Sequence, residues 1–295
     1  MKMAKTVVAA SALLLAGGWR VQCGVCVGAE QHLVLPAAFA NAEGQISNTI
    51  PIGAGAGTMQ TMYSAQEMAS VPQGSRITGF QMRQDNNFGF TPWPRLDITI
   101  DAYRVYMGSS TLTPAGFSNT FAANITDKQQ VKSGPLPLAK NAYPGAFPIG
   151  GPLPEGWGPV IVLDQSYTYQ GGPLVIEWRN PGAGSNGGTA ADAVTNSAAA
   201  AGGGNATSPE ATTSNGGSAA VVRITYVTTA CPADLNGDGF VDDADFPIFV
   251  FAYNTLDCAD PTMPVGCPAD LNVNGVVDDL DFVVFVVAYN ALVCE

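Results

Sequence analysis

A tandem repeat at the C-terminus constrains this chain more than any other feature of its sequence. Residues 231–258 (CPADLNGDGFVDDADFPIFVFAYNTLDC) and residues 267–294 (CPADLNVNGVVDDLDFVVFVVAYNALVC) are identical at 19 of 28 positions, at an offset of 36 residues. A repeat of this kind is one supersecondary unit that is built twice. We therefore predict a small C-terminal module, residues 231–295, made of two equivalent halves.

The same segment carries the whole net charge of the protein. Between Cys231 and Glu295 there are twelve acidic residues and no Lys or Arg, whereas residues 1–230 contain twelve residues of each sign. Carboxylates that are crowded without counter-charges repel one another, so such a segment is either disordered or bound to cations. Charge of this sign also makes nucleic acid a poor partner.

Each repeat contains the oxygen spacing of a twelve-residue calcium loop. Calcium takes about six to eight oxygen ligands, which such a loop supplies from positions 1, 3, 5, 7, 9 and 12, with Gly at position 6. The predicted ligands are Asp234, Asn236, Asp238, Phe240 (carbonyl), Asp242 and Asp245 in the first loop, and Asp270, Asn272, Asn274, Val276 (carbonyl), Asp278 and Asp281 in the second. We expect two calcium ions, with the first bound more tightly because its loop offers four carboxylates and the second offers three.

Neither loop is preceded by the helix that enters an ordinary EF-hand. The residues CPA stand directly before the first position of each loop, and Pro232 disfavours an incoming helix. An exiting helix is predicted over 243–256 and again over 279–292. Asp242 and Asp278 are candidate caps for these helices, and Pro247 is tolerated if it lies in the first turn.

A duplicated calcium loop that is followed by a helix and lacks an entering helix resembles the type I dockerin domain, over residues 231–295. The resemblance implies two loop–helix units packed antiparallel, and binding to a cohesin-like module or another surface protein in a multi-protein assembly. The family's recognition positions correspond to Asp243 and Ala244 in the first repeat, and to Asp279 and Leu280 in the second. Familiar dockerins carry hydroxyl side chains there and a Lys or Arg in the helix, and this chain has neither.

The cysteines are concentrated in the same module. Cys23 and Cys26 fall inside a predicted export signal, and the four that remain are Cys231, Cys258, Cys267 and Cys294. An even count in an exported protein favours disulfides, and four cysteines allow three connectivities. Because one cysteine precedes each loop and one follows each helix, we expect Cys231–Cys258 and Cys267–Cys294.

The predicted helices are more apolar than one buried stripe requires. The first contains Phe246, Ile248, Phe249, Val250, Phe251 and Tyr253, and the second Phe282, Val284, Phe285, Val286, Val287 and Tyr289. These side chains are either buried against each other and the rest of the protein, or they form an exposed patch that docks a partner.

The N-terminus is typical of a secretion signal. Lys2 and Lys5 precede or flank a short apolar stretch that is too short to span a membrane. We expect cleavage after Ala29; cleavage after Ala40 and an uncleaved N-terminal anchor are the alternatives. The mature protein is then secreted, extracellular or at the cell surface, without a membrane span.

Residues 30–229 are predicted to form a mainly β domain of the sandwich or jelly-roll type. Short runs rich in β-branched and aromatic residues are separated by Gly, Pro and Asn, at 76–82, 96–107, 159–169, 173–178 and 220–228. Residues 181–219 are low in complexity and rich in Gly, Ala, Ser, Thr and Asn. We expect them to be a long mobile loop in the last hairpin of the domain, or else an interdomain linker.

The β domain gives little indication of catalysis. His32 is the only histidine of the chain, which argues against a Ser–His–Asp or Cys–His triad and excludes a zinc site built from histidines. A glycosidase needs two carboxylates across a cleft. The carboxylates on or near predicted strands are Glu67, Asp97, Asp101, Asp164 and Glu177, of which Asp97, Asp101 and Glu177 are expected to point outward.

Two functional hypotheses remain. In the first, the chain is a secreted non-catalytic protein whose dockerin-like module binds two calcium ions and attaches it to a partner. In the second, it is a dockerin-borne polysaccharide-degrading enzyme or carbohydrate-binding module, with polysaccharide as a further partner. Trp93, Trp157 and Trp178 are candidates for a sugar-stacking platform, although Trp178 also fits a core position.

Overall fold

A computed structural model describes residues 27–86, 91–145, 153–184, 188–229, 233–236, 241–264, 266–272 and 274–291. Across these residues the chain forms strands β1 (Val27–Leu35), β2 (Ile46–Asn48), β3 (Gly57–Tyr63), β4 (Arg76–Met82), β5 (Ile98–Ser109), β6 (Gln129–Leu138), β7 (Ile161–Thr168), β8 (Leu174–Asn180), β9 (Ala191–Val194), β10 (Ala200–Asn205), β11 (Ala219–Ala220) and β12 (Val222–Thr229). Three 3₁₀ helices span Ala37–Phe39, Pro114–Gly116 and Phe121–Ala123, and two α-helices follow the strands, α1 (Phe246–Thr255) and α2 (Asp279–Ala291).

The strands form three antiparallel sheets, so the expected mainly β class is confirmed. The strand orders are β1-β12-β4-β7, β10-β3-β8-β5-β6 and β11-β9-β2. The two larger sheets meet through residues such as Phe80 of β4 and Trp178 of β8, whose rings lie 6.1 Å apart in an edge-on arrangement. The resulting core is sandwich-like, with Trp178, Tyr63 and Tyr103 fully buried in it.

The runs rich in β-branched and aromatic residues are all strands. The run 76–82 coincides with β4, and the runs at 96–107, 159–169, 173–178 and 220–228 overlap β5, β7, β8 and β12. In β5 the buried and exposed positions alternate over Ile98–Asp101, as expected of a strand with one face on the core.

The expectation of a loop or linker over 181–219 is wrong where the structure describes this segment. It contributes β9, β10 and β11, whose side chains are almost entirely buried. The small residues of this segment are needed because neighbouring backbones pack closely against it, and not because the segment is mobile. A Cβ atom on Gly202 would lie 2.2 Å from the carbonyl oxygen of Ser218 and 2.8 Å from that of Gln60. Backbone hydrogen bonds to β3 along the whole of β10 satisfy the polar groups that the small side chains leave buried.

The N-terminal signal prediction lies mostly outside the described residues, which begin at Val27. Strand β1 pairs with β12, and its part from Glu30 to Leu35 is continuous with Val227 to Val222 of the partner strand. The pairing therefore does not depend on residues before the expected cleavage after Ala29. No helix in the described part of the chain is long and apolar enough to cross a membrane.

Candidate metal centre in the C-terminal repeats

The two repeats pack around one small core of their own. Phe249 of α1 and Phe285 of α2 stack with ring centroids 4.7 Å apart, and both are almost completely buried. Four further buried members come in pairs that are 36 residues apart in sequence, namely Ala233 with Ala269 and Val241 with Val277, whereas Ala252 and Met263 have no buried equivalent. The sequence repeat therefore becomes an approximate two-fold relation between the halves. Helix α2 begins where it was predicted to, whereas α1 begins three residues later than predicted; no helix enters either loop within the described residues.

The second loop folds around its first aspartate. Asp270 accepts hydrogen bonds from the backbone N–H of Asn274 at 3.0 Å and of Gly275 at 2.8 Å. Gly275 lies in the left-handed region, at φ +91°, where a side chain is disfavoured. The Asn274 side chain in turn accepts the N–H of Val276 at 2.9 Å. These bonds bend the chain at loop positions 5 to 7, as the calcium-loop spacing requires.

The aspartates at position 12 are buried and accept several backbone N–H groups. Asp281 is fully buried; one of its oxygens accepts the N–H groups of Leu271 and Asn272 at 2.8 and 3.0 Å, and the other accepts that of Asp278 at 2.8 Å.

Asp245 is equally buried and repeats this pattern in the first loop. One oxygen accepts the N–H groups of Leu235 and Asn236 at 2.7 and 3.0 Å, and the other accepts that of Asp242 at 2.9 Å. A carboxylate offers about four lone-pair positions. Three of them are used here, so one position on Oδ2 of each aspartate remains for a further partner.

The donor set of the loops fits a hard divalent cation. Every side chain at a predicted ligand position is a carboxylate or an amide, and oxygen is the ligand that calcium prefers. The buried carboxylates of Asp245 and Asp281 have no Lys or Arg in their module to balance them. Asp238 and Phe240 of the first loop lie outside the described residues. The full ligand set is therefore described for the second loop, and for the first only Asp234, Asn236, Asp242 and Asp245.

The loop carboxylates are held by backbone N–H groups and not gathered around a common point. In the described residues there are two groups of three Cys, Asp or Glu side chains whose potential ligand atoms lie within 4.8 Å of one another inside the group. Asp270, which lies beside Cys258 and Cys267, is the single loop residue in these groups. To hold one calcium ion, the carboxylates of Asp270, Asp278 and Asp281 would have to lie closer together than they do here.

The predicted helix caps are partly as expected. Asp278 directly precedes α2; its side chain accepts the N–H of Leu280 at 2.8 Å and its carbonyl accepts that of Phe282 at 3.1 Å. Asp242 caps only a turn before α1, through the N–H of Ala244 at 2.8 Å. Pro247 lies in the first turn of α1, where its missing N–H costs no intrahelical hydrogen bond.

The expected disulfide pairing is wrong. Cys258 and Cys267 are bonded to each other, with Cα atoms 5.4 Å apart, so neither can pair with Cys231 or Cys294. The reason is the turn between the repeats, which folds back through hydrogen bonds such as that from Met263 N–H to the Asp260 carbonyl at 3.0 Å. Cys231 and Cys294 lie outside the described residues. Because both sulfurs are in the disulfide, their approach to Asp270 does not make a thiolate metal site.

Replacing both bridge cysteines, Cys258→Ser with Cys267→Ser, is expected to lower the free energy of unfolding of the module by roughly 2–3 kcal/mol, since the closed loop spans a separation of 9 residues. Chemical denaturation of the variant and of the oxidised wild type measures the difference. A peptide map under non-reducing conditions should contain the Cys258–Cys267 link. A map that joins Cys258 to Cys231 would contradict the observed pairing.

Two tyrosine–aspartate bonds join the halves of the module. The hydroxyl of Tyr253 in the first repeat donates to Asp279 of the second at 2.5 Å, and the hydroxyl of Tyr289 donates to Asp243 of the first. These bonds raise the pKa of both tyrosines, because the carboxylate favours the protonated hydroxyl. Asp243 and Asp279 are recognition positions implied by the family resemblance, and here each is bonded to the helix of the other repeat. Leu280, the position after Asp279, is exposed.

Four of the five candidate carboxylates of the β domain are engaged in structural bonds, and the fifth, Asp101, is exposed on β5 as expected. Glu177 was expected to point outward and is instead fully buried, because β8 is a central strand with both faces covered. It binds Lys128 at 2.6 Å and Arg179 at 2.8 Å. Asp164 accepts the Ser133 N–H at 2.7 Å, and backbone bonds from Ala37 and Lys140 hold Glu67 and Asp97.

The three candidate platform tryptophans do not form a common surface. Trp93 and Trp178 are buried in the core of the sandwich. Trp157 is partly buried, and the guanidinium groups of Arg83 and Arg223 each lie 5.1 Å from its ring. Stacking on a sugar would require these contacts to be displaced. His32 is on β1, where Nδ1 lies 3.2 Å from the Thr225 hydroxyl, so its contacts are structural.

A second acidic cluster lies inside the β domain and was not singled out by the sequence. Glu43, Asp85 and Asp192 approach within 4.8 Å of one another, and Arg83 is bound to Asp192 with both side chains fully buried. Burial raises the pKa of Asp192 to about 6, against the opposing effect of Arg83. Gly44 donates its N–H to Asp192 at 2.9 Å, and a Cβ atom there would lie 2.1 Å from the carboxylate. The arrangement is a buried anchor between β2, β9 and the end of β4.

No protein-family model, no curated protein and no solved structure matches this chain.

Proposed function

We propose that this chain is an exported, non-catalytic protein whose dockerin-like C-terminal module binds two calcium ions and attaches the β domain to a partner protein. The partner is a cohesin-like module or another component of a cell-surface assembly. Export is supported by the Cys258–Cys267 disulfide, since such bonds persist in oxidising compartments.

The observation that carries the proposal is the equivalence of the two loops. Asp245 and Asp281 stand at the twelfth position, are fully buried, and accept hydrogen bonds from the same three loop positions. An acidic surface loop would leave these carboxylates in water. A buried carboxylate needs compensating charge, and no Lys or Arg of residues 231–295 supplies it.

A bound calcium ion would supply the positive charge that these carboxylates lack. In the second loop Asp270, Asn272, Asn274, Asp278, Asp281 and the Val276 carbonyl would hold it. The chain's own contribution is to orient these oxygens: Gly275 permits the turn, and backbone N–H groups fix Asp270 and Asp281. Val277 then joins the end of α1, donating its N–H to the Leu256 carbonyl at 2.7 Å. This bond joins the end of the second loop to the end of the first helix.

Attachment is supported by the exposed apolar side chains of both helices. Eight of the fourteen exposed large apolar side chains in the described residues lie on α1 or α2, and two more, Leu256 and Val276, lie between the helices. A concentration of this kind in a small module is typical of a surface that contacts another protein. Of the two alternatives left open by the sequence, the docking patch is therefore the one we adopt.

Affinity capture from cell-surface extracts tests the attachment. The full-length protein in calcium should retain a partner, and EDTA should release it. Retention that is insensitive to EDTA would contradict calcium-dependent attachment. A glycan pull-down and a hydrolysis screen on the same protein decide the polysaccharide alternative, which is supported only if a defined polysaccharide is bound or cleaved.

Calcium titration should resolve two binding events of unequal affinity. The first loop is expected to bind more tightly, because it offers four carboxylates where the second offers three, Asn274 replacing an aspartate. The substitution Asn274→Asp should strengthen the weaker event and bring the two affinities together. Equal affinities in the wild type, or an unchanged second event in the variant, would contradict this ranking.

A further inference from the structure

The surface of the C-terminal module contains a groove of about 230 Å³ between α1 and α2. Its lining consists of Phe249, Val250, Tyr253, Asp279 and Phe282. Phe249 is the buried floor, with ring centroids 6.0 Å from Tyr253 and 5.8 Å from Phe282. Val250 and Phe282 form half-exposed walls, at 38% and 42% exposure. The groove is therefore apolar at its centre.

The groove has one charged group at its rim. Asp279 is exposed and is oriented by the hydroxyl of Tyr253, so its carboxylate is held beside the apolar walls. The repeat builds the same arrangement a second time. Phe246 lies 6.2 Å from Phe285 and 6.4 Å from Tyr289, and Tyr289 donates to Asp243. Each half of the module thus presents an aromatic wall next to a fixed carboxylate.

The charge of the module restricts what can cover this surface. Residues 231–295 carry twelve acidic side chains and no Lys or Arg, and two calcium ions would offset only four of these charges. A second copy of the module would bring the same negative charge to the interface, and like charges that face each other oppose association. A partner with positive charge around an apolar centre is attracted instead.

We propose that the aromatic groove docks a protein surface on which an apolar side chain is flanked by Lys or Arg. The inference rests on the proposed attachment function and names the chemistry of the partner. The apolar side chain enters between Val250 and Phe282, and the basic group pairs with Asp279. This differs from the pattern implied by the family resemblance, in which the dockerin helix itself supplies the basic residue.

Model peptides test the chemistry without knowledge of the natural partner. The full-length protein in excess calcium is presented with three short amphipathic peptides, one of Leu and Lys, one of Leu and Glu, and one of Ser and Lys. The Leu–Lys peptide is expected to bind at least about tenfold more tightly than the other two. Equal binding of the Ser–Lys or the Leu–Glu peptide, or no binding of the Leu–Lys peptide, overturns the proposal. So does a calcium-dependent dimer of the protein whose interface is the groove.

Two double variants locate the binding surface. Phe246→Ser with Phe282→Ser removes one aromatic wall from the groove and one from its counterpart in the other repeat, and should lower the affinity for the Leu–Lys peptide by about tenfold or more. Asp243→Asn with Asp279→Asn removes the rim charge, keeps an oxygen to accept the tyrosine bonds, and should weaken the salt dependence of binding. Val287→Ser, at an exposed position that does not line the groove, is the control and should leave the affinity unchanged. Unchanged binding in both double variants overturns the proposal.

The calcium stoichiometry of each variant shows whether its loops still fold. If the double phenylalanine variant no longer binds calcium normally, the proposal is tested with the isosteric double variant Asp243→Asn with Asp279→Asn alone. A partner that is captured in calcium but contacts the groove through an acidic surface overturns the inference and leaves the attachment function intact. Loss of calcium-dependent capture, with the peptide selectivity retained, overturns the attachment function instead.

Discussion

The substitution Asp281→Asn is expected to abolish the weaker calcium event or weaken it roughly a hundredfold, because loop affinity follows the number of charged ligands. Asp281 is fully buried and holds three backbone N–H groups, from Leu271, Asn272 and Asp278. An asparagine keeps one oxygen but presents an NH₂ group to one of these donors. The loop then loses a ligand and its internal alignment together.

Asp257→Asn is the matched control for this change. Asp257 is exposed and is not at a ligand position; its side chain accepts the N–H of Ala259, and its bridge to Val276 is made by the backbone, so its replacement removes the same charge and keeps that bridge. Calorimetric titration of both variants should show one strong event for Asp281→Asn and two events for Asp257→Asn. If Asp281→Asn retains both events at wild-type affinity, the twelfth position is not a ligand.

Arg83→Met is expected to lower the free energy of unfolding of the β domain by about 3–5 kcal/mol at neutral pH, the usual effect of removing one partner of a buried ion pair. Arg83 is fully buried, donates to Asp192 at 2.7 Å, and lies among Glu43 and Asp192, whose pKa values burial already raises. Without the guanidinium, buried carboxylates face each other with no cation between them.

The decrease in the free energy of unfolding caused by Arg83→Met should become smaller as the pH falls. The pKa of folded Asp192 is about 6, above its ordinary value of 3.8. Between these two pH values the folded state therefore binds more protons than the unfolded state. The stability that Asp192 contributes in this way is fully present below about pH 4 and is lost as the pH rises through 6. Removal of Arg83 raises the folded pKa further, so the variant should recover more stability on acidification than the wild type.

Arg223→Met is the control for Arg83→Met. Arg223 also lies 5.1 Å from the Trp157 ring, but its hydrogen bonds go to Gln81 rather than to a carboxylate. Its loss is expected to cost about 1 kcal/mol, from the ring contact and the hydrogen bonds. Denaturant unfolding at neutral pH and at pH 5 measures both variants. Equal losses for the two arginines would show that the acidic cluster does not depend on Arg83.

The strands that could be predicted from sequence are those with a clear local pattern. β4 and β12 are rich in β-branched and aromatic residues and are bounded by Gly, Pro or turn residues. β3 was missed because it is buried on both faces, so its Thr and Gln side chains interrupt any alternation. β6 was missed because Gly134, Pro135 and Pro137 are unusual in a strand; Pro137 is tolerated because β6 lies at the edge of its sheet.

The prediction of a loop or linker over 181–219 was wrong for a different physical reason. Composition describes how much apolar area a segment can bury, but not how closely a neighbouring backbone approaches it. Around Gly202 that approach leaves no space for a side chain, so low complexity here accompanies order. Only the tertiary structure contains this information.

In the candidate site, the ligand spacing and the two helices could be predicted from the sequence, but the bonds that connect them could not. The positions of Asp245 and Asp281 follow from the twelve-residue spacing, whereas their bonds to the start of the loop do not. The Tyr253–Asp279 and Tyr289–Asp243 bonds join residues of different repeats. The repeat offset of 36 could have suggested them, since each tyrosine and each aspartate recurs at that distance. The Cys258–Cys267 link depends on the turn between the repeats, which a comparison of equivalent positions ignores.

The number of calcium ions bound per chain is the most direct test of the proposed module. Native mass spectrometry of the full-length protein in calcium should find two ions per chain, one in each single variant Asp245→Asn and Asp281→Asn, and none in the double variant. The same protein in magnesium at equal concentration should not reproduce this pattern, since magnesium demands a stricter octahedral geometry. A wild-type chain that retains no calcium, or a double variant that retains two ions, would contradict the assignment of the repeats as calcium loops.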